Sequence, residues 1–121
     1  MIEDSISFEG CVLYSSNSDA VKKFYETLGL SFVQEQHGRG PVHYAAQLKH
    51  NAVLEIYPSE FGGVVLADSA ECSTKIMLVV KGLDAIVAAL KSSGAVVKKT
   101  KTRTTVYDPE GRAVMLREKK R

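Results

Sequence analysis

The apolar positions of the chain change period in an order that occurs twice. An apolar run over 8–15 predicts a strand, with Val12 and Tyr14 on one face and Cys11 and Leu13 on the other. A polar break at Ser16-Asn17 follows, and then Val21, Phe24, Tyr25 and Leu28 recur at i, i+3, i+4 and i+7. That spacing sets four apolar side chains on one stripe of a helix. Asn17 is the expected N-cap, Asp19 suits the positive end of the helix dipole, and Gly29 is the expected C′ residue. A β-rich run, Leu30–Gln34, leads through a loop to a hairpin turning at Lys49-His50-Asn51. Its second strand is Val53–Tyr57, with Val53, Glu55 and Tyr57 on one face and Leu54 and Ile56 towards the helix.

The second half repeats this reading. A strand is expected over 74–81, a break at Lys81-Gly82, and a helical stripe of Leu83, Ile86, Val87 and Leu90 ending at Gly94. The run Ala95–Lys99 and a hairpin at Asp108-Pro109-Glu110-Gly111 complete it, the latter with the Asp, Pro and Gly placement of a type I turn. Ser18–Tyr25 aligns with Leu83–Leu90 without a gap, and Cys11–Tyr14 aligns with Ile76–Val79. The expected fold is therefore α+β, two βαβββ modules in one domain: module 1 about 6–58, a linker over 59–72, and module 2 about 73–118. One helix covers one face of each sheet. The other faces need a partner, and two such sheets facing each other would enclose a cup suited to a small molecule.

Composition narrows the function classes. At 121 residues, 45% hydrophobic and 25% charged, the chain is ordinary for one globular domain. A net charge of +2 and a basic stretch, Lys98–Arg103, without interleaved aromatics argue against nucleic acid. That stretch reads as a solvated loop or one that captures an anionic ligand. No apolar run is long enough for a membrane span, and the acidic start MIEDSISFEG is unlike a signal peptide. Cys11 and Cys72 form no disulfide framework, so a cytoplasmic protein is expected, with Cys11 as a core thiol. The loop His37-Gly38-Arg39-Gly40-Pro41 joins two strands and so is not a phosphate loop; it reads as a flap on which Arg39 could meet an anion. His37 and His50 are expected to be solvated, and His43, entering a strand, to line the cup.

Three stretches carry a resemblance. Phe24-Tyr25-Glu26-Thr27-Leu28-Gly29-Leu30 follows a pattern FYxxLGL, Val53-Leu54-Glu55-Ile56-Tyr57 a pattern LEL, and Asp108-Pro109-Glu110-Gly111 a DPxG turn before the last strand. Together with the doubled βαβββ order they resemble the glyoxalase/bleomycin resistance protein/extradiol dioxygenase superfamily, the vicinal oxygen chelate fold. The resemblance covers nearly the whole chain. It implies metal ligands from the first and last strand of each module, typically His, Glu or Gln. Carried over, these positions are Gly10, Glu55, Lys75 and Met115. Glycine has no ligating side chain, an ammonium repels a cation, and a thioether suits Cu(I) rather than the harder divalent ions. Glu55 alone fits. The expectation is that Lys75 replaces the missing cation and pairs with Glu55, within a chain or across a dimer. The alternative leaves Glu55 in water at the rim and Lys75 turned outward.

The residues expected to line the cup and bind ligand are Tyr14, His43, Glu55, Tyr57, Lys75, Met77, Met115 and Arg117. Aromatic and thioether groups supply stacking area and adaptability, unless these side chains fill the cup themselves and leave an interaction module. The function expected is metal-free binding of a small organic ligand, such as an antibiotic or metabolite, by a homodimer without cofactor. The alternative is a glyoxalase I-like (lactoylglutathione lyase-type) lyase or isomerase, or a dioxygenase-like metalloenzyme, with a divalent metal and Glu55 as the catalytic group.

Overall fold

The computed structural model describes residues 5–59 and 74–120. Apart from Ser59, the expected linker lies outside the described residues, as does Cys72. The elements run β1 (Gly10–Ser15), α1 (Ser18–Thr27), β2 (Phe32–Glu35), β3 (His43–Gln47), a 3₁₀ turn (Lys49–Asn51) and β4 (Val53–Pro58). The second module runs β5 (Lys75–Val80), α2 (Leu83–Ser92), β6 (Val97–Lys99), β7 (Thr104–Tyr107) and β8 (Ala113–Glu118). Each module is a βαβββ unit with one four-stranded mixed sheet, ordered β1-β4-β3-β2 and β5-β8-β7-β6. The outer pairs β1–β4 and β5–β8 are parallel and the remaining pairs antiparallel. No helix among the described residues is long and apolar enough to cross a membrane.

The helices form where the stripes predict. Val21, Phe24 and Tyr25 are buried on α1, and Ile86, Val87 and Leu90 on α2. The Asn17 side chain accepts a hydrogen bond from the Ala20 amide at 3.2 Å, so α1 carries its own cap. Asn17→Ala is expected to lower stability by about 1 kcal/mol, the usual value of such a cap; urea denaturation with an unchanged midpoint would refute this. In α2 the N-cap is Gly82, which has no side chain to offer. Its place is taken by Glu118 at the end of β8, whose carboxylate accepts from the Leu83 amide at 2.8 Å and the Gly82 amide at 3.1 Å. These two amides hold the Glu118 carboxyl below the ordinary glutamate value.

The runs after the helices start later than their sequence suggests. Gly29 (φ 113°) and Gly94 (φ 91°) reverse the chain, and the next amides still serve the helices: Leu30 donates to the Tyr25 carbonyl at 3.3 Å and Ala95 to that of Leu90 at 3.0 Å. β2 and β6 therefore begin only at Phe32 and Val97. The second hairpin turn closes as expected, with Gly111 donating to the Asp108 carbonyl at 2.8 Å.

One apolar cluster runs through both modules, including Leu13, Leu54 and Ile56 from the first and Val106, Val114 and Leu116 from the second. Polar ties cross the same boundary, among them the following. The fully buried Tyr25 donates its hydroxyl hydrogen bond to Asp108 Oδ2 at 2.8 Å. Arg112, 3.4 Å from that carboxylate, donates to the Tyr14 carbonyl at 2.7 Å. The helix-facing sides of the sheets are thus spent on the core. The opposite sides keep apolar residues in solvent: Val12 is 42% exposed, Val79 52% and Met77 74%.

Candidate functional site

The outward face of the first sheet is set by register. β1 and β4 place Val12 beside Glu55 and Tyr14 beside Tyr57. β3 places Ala45 beside Glu55, and β2 places Glu35 beside His43. A row of side chains therefore crosses all four strands: Glu35, His43, Tyr57, Tyr14. Its members touch. The His43 ring stacks on Tyr57 with centroids 4.2 Å apart and planes 8° from parallel. Tyr57 meets Tyr14 at 6.1 Å in a tilted pair. Partial burial, and after it the nearby Glu55 carboxylate, push the Tyr57 phenol above its ordinary value.

His43 is the best-enclosed member, 2% exposed. Its Nδ1 lies 3.1 Å from the Pro41 carbonyl, which can only accept, so Nδ1 carries the hydrogen. Its Nε2 stands between two carboxylates, 3.4 Å from Glu35 Oε1 and 3.6 Å from Glu55 Oε2. His37, although exposed, leans over the same place, with its ring 5.1 Å from that of His43 and its Nε2 3.7 Å from Glu35 Oε1.

Four of the residues picked out in the sequence, Tyr14, His43, Glu55 and Tyr57, thus meet on one sheet. Met77, Met115 and Arg117 lie together elsewhere, in a groove of ≈ 470 Å³ on the second sheet bordered by the basic loop Lys99–Arg103. Lys75 is in a third place. It is exposed and lines a cavity of ≈ 770 Å³ with Lys23, Phe24, Tyr107 and Ala113. Among the described residues no Lys75–Glu55 ion pair forms within the chain; the basic side chain beside Glu55 is His43, at 3.6 Å. Glu35 and His37 were not expected at the site. The available signal was the register of β2 on β3, which sets Glu35 opposite His43, with His37 two residues further on. Cys11 packs against the core, and burial raises its thiol above the ordinary value.

The four positions that the resemblance assigns to metal ligands do not fit a metal centre. Glu55 offers a carboxylate, but Lys75 and Met115 offer a cation and a soft sulfur. Gly10 is closed by packing as well as by chemistry. A Cβ there would collide with the Val53 carbonyl and stand 2.8 Å from Val53 Cγ2.

No family model matches the sequence, and no curated protein matches it. Solved structures match over nearly the full length. A glyoxylase/bleomycin resistance protein/dioxygenase domain from Frankia sp. EAN1pec has a TM-score of 0.68 at 15% identity, covering 95% of this chain and 93% of that one. TnmS3, an antibiotic binding protein from Streptomyces sp. CB03234, has a TM-score of 0.66 at 21% identity, covering 98% and 100%. The oxidase ChaP-H2 has a TM-score of 0.68 at 11% identity, covering 96% and 95%. The structural neighbours are thus members of the glyoxalase/bleomycin resistance/dioxygenase superfamily, and this chain has their fold.

Proposed function

We propose that this protein binds a small organic ligand as a cytoplasmic homodimer, without the metal centre that the vicinal oxygen chelate fold can carry. The observation that carries the reading is the face of stacked aromatic rings on the first sheet, in a chain that has Gly10, Lys75 and Met115 at positions the resemblance assigns to metal ligands. Such a face gives area to a planar ligand, and the Met77–Met115 groove of the other module gives adaptable area. Dimerisation brings together what one chain keeps apart: the exposed Val12, Met77 and Val79 would be covered when one copy's first sheet meets its partner's second. The mixed charge, Glu35 and Glu55 on one sheet and Arg117 with Lys99 and Lys101 near the other, suits an aromatic compound with ionic substituents. That a structural neighbour is an antibiotic binding protein supports this ligand class.

Calorimetric titration with a panel of aromatic and cationic antibiotics tests the reading. At least one micromolar ligand is expected, weakened at least about tenfold by Tyr57→Ala or Met77→Asp through lost contact area. No affinity tighter than millimolar across the panel would overturn it. A second reading, a lyase or isomerase that uses Glu55 as a base, draws on the Glu55–His43 contact at 3.6 Å. Its mark would be turnover of a bound compound, lost in Glu55→Gln with binding retained.

A further inference from the structure

We propose that Glu35, His37 and His43, flanked by Glu55, form a binding site for one divalent transition-metal ion, zinc by chemistry, at the end of the β2–β3 hairpin. This site lies within one sheet of one module and does not depend on the ligand-binding reading. It shares Glu55 with the metal-ligand positions that the resemblance implies, and Glu35, His43 and Glu55 with the face proposed to bind the organic ligand.

Three observations support it independently. The first is spacing. Two ligand atoms bound at ~2.0–2.1 Å to a tetrahedral zinc lie about 3.3–3.5 Å from each other. The contacts here are 3.4 Å (His43 to Glu35), 3.6 Å (His43 to Glu55) and 3.7 Å (His37 to Glu35). A charge-assisted N–H···O bond would draw nitrogen and oxygen to about 2.7–2.9 Å. These three contacts are instead close to the edge of a coordination tetrahedron. The donor atoms of Glu35, His37 and His43 all lie within 4.8 Å of one another.

The second is an orphan. His43 Nε2 is buried and has no hydrogen-bond partner, although the ring is enclosed. Leaving a buried polar atom unpaired is costly. With the hydrogen on Nδ1, directed at the Pro41 carbonyl, Nε2 presents its lone pair to the cluster. A backbone carbonyl that fixes the tautomer in this way is the usual support of a ligating histidine. The third is charge. Glu35 and Glu55 bring two carboxylates to the imidazoles, and a divalent cation would balance their charge. The N₂O donor set of Glu35, His37 and His43, with Glu55 beside His43, suits zinc and its neighbours, and the exposed His37 leaves a side open for entry.

The rival occupant of the space is a proton, giving an imidazolium held between Glu35 and Glu55. Chelator-treated full-length protein, titrated with Co²⁺ followed by visible spectroscopy and with Zn²⁺ by calorimetry, separates the two. Saturation at one equivalent is expected, with the intense visible bands of tetrahedral cobalt displaced by zinc. His37→Gln, at an exposed position where folding is not at stake, should weaken binding at least about tenfold, the lower end for disturbing a metal site. Glu35→Gln should do the same, His43→Gln should abolish the bands, and His50→Asn, at the far hairpin turn, should change nothing. Absence of saturable binding, or binding unchanged in both His37→Gln and Glu35→Gln, overturns the proposal. Because the titration contains no organic compound, its failure leaves the antibiotic titration untouched, and the converse holds.

Discussion

Asp108→Ala is expected to destabilise the protein by about 3–5 kcal/mol, the range for removing one partner of a buried ionic group. The Asp108 side chain is fully enclosed and serves four donors: the Tyr25 hydroxyl at 2.8 Å, the Glu110 and Arg112 amides at 2.9 and 3.0 Å, and the Arg112 side chain at 3.4 Å. Alanine would strand the hydroxyl of a fully buried tyrosine and leave the Arg112 charge without its counterion. Tyr25→Phe takes away one of those bonds and should cost about 1.5–3 kcal/mol, the value of a hydrogen bond to a charged group. Urea midpoints at unchanged slope measure both, and losses below about 0.5 kcal/mol would refute the argument. A pH signature accompanies them. Burial, and then the Asp108 carboxylate, push the Tyr25 phenol far above its ordinary value of 10.0. The folded state keeps a proton that the unfolded state releases. This contribution is therefore complete below about pH 10 and is lost as pH rises beyond it. Tyr25→Phe should remove it, leaving a shallower alkaline decline.

The second large effect is expected at Gly10. Gly10→His, the substitution that would place a ligand at the first-strand position the resemblance implies, should cost about 1–3 kcal/mol, as overpacking does. The obstacle is backbone: the Cβ would meet the Val53 carbonyl of the neighbouring parallel strand, and a carbonyl in a sheet cannot turn aside as a side-chain tip can. Gly10→Ala should already show most of the loss. Lys75→His, at an exposed position, should stay within about 0.5 kcal/mol. Equal thermal midpoints for the wild type and Gly10→Ala would show that the strand yields more than its geometry implies.

Much of the fold was legible because its signals are local. The helical stripes, the Asn17 cap, the glycines at 29 and 94 and the Asp108–Gly111 turn act over a few residues and appear where expected. The outward face of β4 followed from alternation alone. The ties between modules were not legible. Tyr25 reads as one more apolar residue of a stripe, and its partner Asp108 is 83 residues away. The site was half legible for the same reason. His43 and Glu55 follow from strand faces, but Glu35 joins them only through the β2–β3 register, and a slip of one residue would turn it to the other face. His37 reads as a solvated loop residue, and by exposure it is one; its position over His43 comes from how the loop folds back.

The contrast between the two helix caps bears on the order in which the halves acquire structure. α1 is capped from three residues away, so its first turn can close as soon as that stretch of chain exists. α2 is capped from 35 residues away, by the last strand of its sheet. Closing a loop of that length carries an entropy cost that only a docked β8 offsets. The first helix can act as a seed, whereas the second stays frayed at its start until the sheet beneath it is complete. A nascent or partly unfolded chain should accordingly protect the α1 amides from hydrogen exchange before those of Gly82 and Leu83.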